Sequence, residues 1–206
     1  MNAVWNLGRI TMCAAVALCL SVGAAQARVV INERTKTYTV SGSDGRQLFR
    51  SIAKRGPKSS RNQHAIATTR TDLKVQNVKT AVVRGRCVVT SVDVVLNLTY
   101  TYPKWNGSRR ASPEVRKVWD NFLRQAIKHE ETHGRISKDY ARSVHRNFLK
   151  LRGTVSQGCA DFGKRSANRL ARAQARFISR QTRFDRREAW AISRSTRLQK
   201  ALYGAR

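Results

Sequence analysis

The stretch Ala126-Ile127-Lys128-His129-Glu130-Glu131-Thr132-His133-Gly134 holds the most specific chemistry in the chain, two histidines and a glutamate at fixed spacing. On an α-helix, residues four apart lie one above the other, so His129 and His133 can offer two imidazoles to one metal ion. Glu130 points beside that face, where a carboxylate can take a proton from a water acidified by the metal. The spacing is H-E-x-x-H, and the chemistry it serves is hydrolysis of a peptide bond with zinc as cofactor. A pair of helical histidines is also found as a plain polar patch. Here, however, Val115, Val118, Trp119, Phe122, Ala126, Ile127, Ile136, Tyr140 and Val144 recur at intervals of mostly three and four residues. The motif therefore lies on or beside the buried stripe of a long amphipathic helix, where imidazoles need partners and a metal supplies them.

Catalytic zinc takes three protein ligands and keeps one position open, so a third donor has to be found. In an unbroken helix Asp139 points roughly 120° away from His133, and His145 stands about 18 Å further along the axis. The donor is expected from another segment: Glu188 or Asp185 near the C-terminus, ahead of Asp161 and His64.

The elements that must position these groups can be read from pattern. Thr35 to Val40 is rich in β-formers and reads as a strand. A short helix follows, capped by Ser43, with Leu48, Phe49 and Ile52 as its apolar spacing and Gly56-Pro57 as its stop. Gln63 to Thr71 reads as extended, and Leu73, Val75 and Val78 as a further strand before Arg84-Gly85-Arg86. The clearest strand runs from Val88 to Tyr102, with Val88, Thr90, Val92, Val94, Leu96, Leu98, Tyr100 and Tyr102 on one apolar face and Pro103 ending it. Ser112-Pro113-Glu114 starts the motif helix, with a capping hydroxyl, a proline at the first position and an acid in the first turn. That helix can run to about Arg152, and from Lys164 onward the arginine-dense chain reads as one or two further helices. The expected fold is α+β, a twisted antiparallel sheet packed against the H-E-x-x-H helix and C-terminal helices in a zincin-like arrangement.

Length bounds the chain to one domain plus processing segments, with 206 residues in all. Residues 1–27 carry an early Arg9, an apolar run from Ile10 to Val22 and Ala25-Gln26-Ala27, the make-up of a secretory signal peptide with an A-x-A cleavage site. The apolar run is shorter than a spanning helix wants, and no later stretch resembles a transmembrane span. The domain is then 28–192, with a basic tail at 193–206, in a periplasmic or secreted protein. Cys87 and Cys159 remain after removal of the signal, and an even count in an exported protein points to one disulfide between them. The formal net charge of +29 draws polyanions to the surface. Anionic envelope lipid and cell-wall polysaccharide rank ahead of nucleic acid, because aromatic residues make up only 7% and no recognised nucleic-acid motif is present. A non-catalytic cationic envelope protein, held to anionic lipid or cell-wall polymers, is the rival to the enzyme.

Several stretches together resemble the bacterial family of predicted secreted zinc-dependent proteases: Tyr38-Thr39-Val40-Ser41-Gly42-Ser43 leading into Leu48-Phe49, Cys87-Val88-Val89-Thr90-Ser91-Val92 ahead of Pro103-Lys104-Trp105, Trp119-Asp120-Asn121-Phe122-Leu123 before the motif, and Cys159 with its following arginine-rich helix. The resemblance covers about Tyr38 to Trp190 and implies export, zinc and peptide hydrolysis. Family members tend to close with Tyr-Asp-x-x-Thr-x-His-Gly, whereas this chain has Phe184-Asp185-Arg186-Arg187-Glu188-Ala189-Trp190-Ala191. Trp190 cannot supply that histidine's donor, so either Asp185 or Glu188 substitutes or the site is weakened.

Overall fold

The structure, a computed structural model, describes residues 28–58, 64–154, 159 and 161–204, apart from the side chains of 152–154, 161 and 189–203. The expected signal segment, 1–27, lies outside the described residues. In chain order the elements are β1 (Arg28–Ser41), α1 (Gly45–Arg55), β2 (Thr68–Val83), β3 (Arg86–Asn106), a 3₁₀ turn at Ser108–Arg110, α2 (Pro113–Leu149), β4 (Arg152–Thr154) and α3 (Asp161–Gly204). The sheet runs β1-β3-β2, with β4 pairing the start of β3. The class is α+β.

The sheet is mixed rather than purely antiparallel, because β1 pairs β3 in parallel, from Arg28↔Asp93 to Ser41↔Asn106. The physical reason is the connection. β2 and β3 fold back through the two-residue turn Arg84-Gly85, both residues at positive φ, which forces them antiparallel. α1 and the loop after it separate β1 from that hairpin, so β1 is free to take the other side of β3 in the opposite sense. The two stretches expected at Gln63–Thr71 and around Leu73–Val78 run together in one strand, β2, which starts only at Thr68; Gln63 lies outside the described residues and His64 sits outside the strand in a bridge with Lys58. Pro103 does not end β3. It lies beyond Thr101, the last residue paired with β2, so its missing N–H interrupts no two-sided ladder.

The face of β3 changes parity midway. Val92, Val94, Leu96, Leu98 and Tyr100 are buried as expected, but in the first part of the strand Cys87 and Val89 are buried while Thr90 is exposed. There the register with β2 slips twice: β2 gains a residue between Gln76 and Lys79, where Asn77 adopts φ 54 and its amide donates to Asp93 Oδ2 at 2.8 Å, and β3 gains one between Val89 and Ser91, opposite Lys79 and Thr80, which resets the side chains of β3 that face inward. The switch turns Cys87 into the core, where it bonds Cys159 across 72 residues of chain with a Cα–Cα distance of 5.9 Å. Loop closure of that size contributes roughly 4 kcal/mol. It also ties the start of α3 to the start of β3.

Asp44 rather than Ser43 caps α1, its Oδ1 accepting from the Gln47 N–H at 2.9 Å, while Ser43 is bonded to the Gln47 side chain. Ser112 caps α2 as its sequence foretells. α2 ends at Leu149 instead of Arg152, because Arg152–Thr154 leaves the helix to pair β3. The arginine-dense region is a single helix. Two cores hold these elements. One joins β3 to α2 and α3 through Leu96, Leu98, Val144, Phe148 and Ala173, and the other packs α1 on Trp119 and Phe122. Among the described residues no helix is long and apolar enough to cross a membrane.

α2 lies unusually close to the sheet just after His133. A Cβ built on Gly134 would overlap the Tyr100 hydroxyl. That hydroxyl donates to Glu33 Oε2 at 3.2 Å, and Lys138 Nζ meets Glu33 Oε1 at 2.8 Å, so β1, β3 and α2 share one clamp. The Lys138 ammonium, hydrogen-bonded to Glu33, holds that carboxyl below its ordinary range, while burial and then Glu33 push the Tyr100 phenol up to about 12. Gly134→Ala should therefore cost about 1–2 kcal/mol net, the overlap outweighing the roughly 1 kcal/mol gained in helix propensity. Thermal melting checks this: Tm should drop by a few degrees, and Tyr100→Phe in the same chain should recover part of the loss. An unchanged Tm for Gly134→Ala would contradict the close contact.

Candidate metal centre

His129 and His133 do point together. Their Nε2 atoms stand 3.1 Å apart and the rings meet edge to face with centroids at 4.8 Å. The third atom comes from α3, which packs antiparallel to α2: Asp185 Oδ1 is 2.9 Å from His133 Nε2 and 3.6 Å from His129 Nε2. Among the described residues these three form a group able to hold a metal ion. Four-coordinate zinc with bonds of about 2.0–2.1 Å sets its ligand atoms about 3.3 Å apart, which the three observed separations bracket. The donor set, two imidazoles and a carboxylate, suits zinc and its divalent neighbours. The residues fit the ion.

The hydrogen-bond network prepares His133 for that role. Gln181 points its amide NH₂ at the His133 carbonyl, 3.4 Å, and at Ser137 Oγ, 3.3 Å, so its amide oxygen is the atom 2.6 Å from His133 Nδ1. An oxygen there requires the proton on Nδ1, so Nε2 is the nitrogen that faces His129 and Asp185 and is available as a donor to an ion. Ser137, fully buried, donates to the His133 carbonyl at 2.9 Å and meets Thr71 of β2 at 2.8 Å. Phe184 wedges against both rings, with centroids 4.9 and 5.0 Å away, and limits their rotation. The His133 side chain is 15% exposed and that of Asp185 54%, so the group is walled by protein on the sheet side and open to solvent on the α3 side.

Each expected residue has a definite place. Glu188, the first choice for third ligand, brings Oε2 to 3.9 Å of His129 Nδ1, the ring nitrogen facing away from the cluster, while Asp185 supplies the converging oxygen. Glu130 is only 7% exposed and turns toward the sheet, where Oε2 accepts from Thr69 Oγ1 at 2.7 Å. Asp139 pairs with Arg180 at 2.9 Å, away from the cluster. His64 places Nδ1 2.6 Å from the Gly56 carbonyl and takes no part. Asp161 opens α3, its side chain and that of Trp190 lying outside the described residues. The residues that pattern reading missed are Gln181, Ser137, Thr71 and Thr69. Only Gln181 had a signal: Gln181, Phe184, Asp185 and Glu188 stand at i, i+3, i+4 and i+7, one helical face.

Fold and site thus define an α+β protein with a two-histidine, one-carboxylate centre built between two antiparallel helices. The chain belongs to the family described as bacterial protein of unknown function (DUF922), whose model matches residues 35–191. No curated protein and no solved structure matches it.

The network gives a direct test. Gln181→Leu removes the acceptor from His133 Nδ1 and should weaken zinc binding by about 10- to 100-fold in competition with a chromogenic chelator, while Gln181→Glu, which keeps an acceptor oxygen, should stay near wild type. Equal affinity for wild type and Gln181→Leu would contradict the orienting role.

Proposed function

We propose that the protein is an exported zinc-dependent metallopeptidase, periplasmic or secreted, with the zincin-like arrangement of a motif helix beneath a sheet. The observation that carries this reading is the convergence of His129, His133 and Asp185 on one point, with Glu130 directly following the first ligand. Export is supported by the signal-like run at 1–27 and by the Cys87–Cys159 disulfide, which an oxidising compartment favours.

When bound, zinc supplies Lewis-acid polarisation of a carbonyl and an acidified water. His129, His133 and Asp185 would hold it, on the side of the cluster where Asp185 is open to solvent. Glu130 is the proton carrier. Its carboxylate accepts a proton from the water whose oxygen bonds to the carbonyl carbon, and it returns that proton to the amine nitrogen as the C–N bond breaks. Thr69, donating to Oε2, anchors that oxygen against the sheet, and Oε1 is the oxygen that exchanges the proton. Gln181 and Phe184 keep the His133 ring aligned throughout.

Glu130→Gln preserves shape and the Thr69 contact but cannot take up the proton. Cleavage of casein or a peptide library in added zinc should fall by about 10²-fold or more while zinc stoichiometry is unchanged. Peptidase activity in Glu130→Gln equal to that of wild type would rule out this mechanism.

A further inference from the structure

α3 carries a second feature, which the metal centre does not use. Arg169, Arg172, Arg176, Arg180, Arg183 and Arg187 recur at steps of three, four, four, three and four residues. At 100° per residue they fall within an arc of about 80°, along about 27 Å of helix. All six are exposed. The flank is distinct from the packing face, because Ala173, Phe177 and Phe184, turned toward α2, centre about 80° round the helix from it, and Asp185 lies about 180° away. Arg180 is braced by Asp139 of α2 at 2.9 Å and Arg172 by the Asn168 carbonyl at 3.3 Å.

Three properties of the flank select its partner. Between 161 and 188 arginine outnumbers lysine eight to one, and the guanidinium fork matches phosphate oxygens in a bidentate way that an ammonium does not. Between 169 and 187 helical spacing places no apolar side chain in the arc, and Ile178, the exposed large hydrophobic among the described side chains of α3, lies about 160° round, so this stretch has nothing to insert into a bilayer. It also has no aromatic ring on which bases could stack. A narrow, straight file of guanidinium groups fits a chain of charges better than a plane of them. We propose that this flank of α3 docks a linear phosphodiester polymer through its backbone, without reading its side groups. The proposal goes beyond the peptidase reading and does not depend on it.

The test is fluorescence anisotropy of the purified protein with a labelled 30-nucleotide deoxythymidine oligomer as the phosphodiester chain, across a salt series. Replacing Arg169, Arg176 and Arg183 together by Gln should weaken binding at 0.15 M salt by about tenfold or more and lower the log–log salt slope by about two. Replacing Arg34, Arg50 and Arg86 by Gln removes the same charge elsewhere and should weaken binding less than about threefold. Lysine at the three α3 positions keeps charge and fold but loses the forks, and should leave affinity measurably below wild type. A variant with both His129 and His133 changed to Ala should bind the oligomer as wild type does, so loss of the metal reading would leave this one standing. Equal weakening by the two Gln triples, full affinity in the Lys triple, or binding to phosphatidylglycerol vesicles that the oligomer cannot compete away would each overturn the proposal.

Discussion

Two imidazole nitrogens 3.1 Å apart, with a carboxylate oxygen against them, bring three electron-rich atoms together, an arrangement that a shared proton or a cation between them holds. Much of the molecule can be understood as what is needed to hold that arrangement. His133 cannot leave it by turning, because Phe184 blocks both rings and Gln181 fixes the proton on the far nitrogen. Gln181 in turn is aimed by Ser137 and by the His133 carbonyl, and Ser137 is bonded to Thr71 on the sheet. The constraint thus passes from the His129, His133 and Asp185 cluster through α3 and α2 to β2.

The scaffold keeps those three elements in register by close contact rather than by many polar links. Gly134 lets α2 come down onto Tyr100 one residue after the second histidine, and the Glu33–Lys138 pair braces the same spot from β1. At the other end, the change of parity in β3 carries Cys87 into the core, and its bond to Cys159 sets where α3 begins. α3 can then offer two flanks with separate properties: one meets α2 and completes the donor set, the other presents a file of arginines to solvent. Since the two point in different directions, a polymer held on one leaves the other open.

Local signals made much of this legible in the sequence. The H-E-x-x-H helix, its Ser112 cap, the long central strand, the disulfide and the α+β class all follow from periodicity, capping chemistry and cysteine count. Asp185 and Glu188 were both within reach of such reasoning, but choosing between them depends on how far α3 is turned about its axis against α2, which tertiary packing sets. The parallel pairing of β1 was not legible, because its sense depends on where a crossover delivers the chain. Nor was the switch of face in β3, which goes with paired register slips, one in β2 around Asn77 and one in β3 between Val89 and Ser91, that depend on how the two strands meet. Thr69, Thr71 and Ser137 gave no signal at all, being common residue types whose importance comes only from what lies opposite them.

X-ray absorption at the zinc edge of the zinc-loaded protein reports on the cluster itself. One zinc per chain is expected, with two imidazole nitrogens at about 2.0–2.1 Å, oxygen in the remaining positions and no sulfur. Loss of Asp185 as Asp185→Ala should remove or lengthen an oxygen contribution while both imidazoles remain. A first shell with fewer than two imidazoles, or a protein that takes up no stoichiometric zinc, would contradict a zinc centre at these residues.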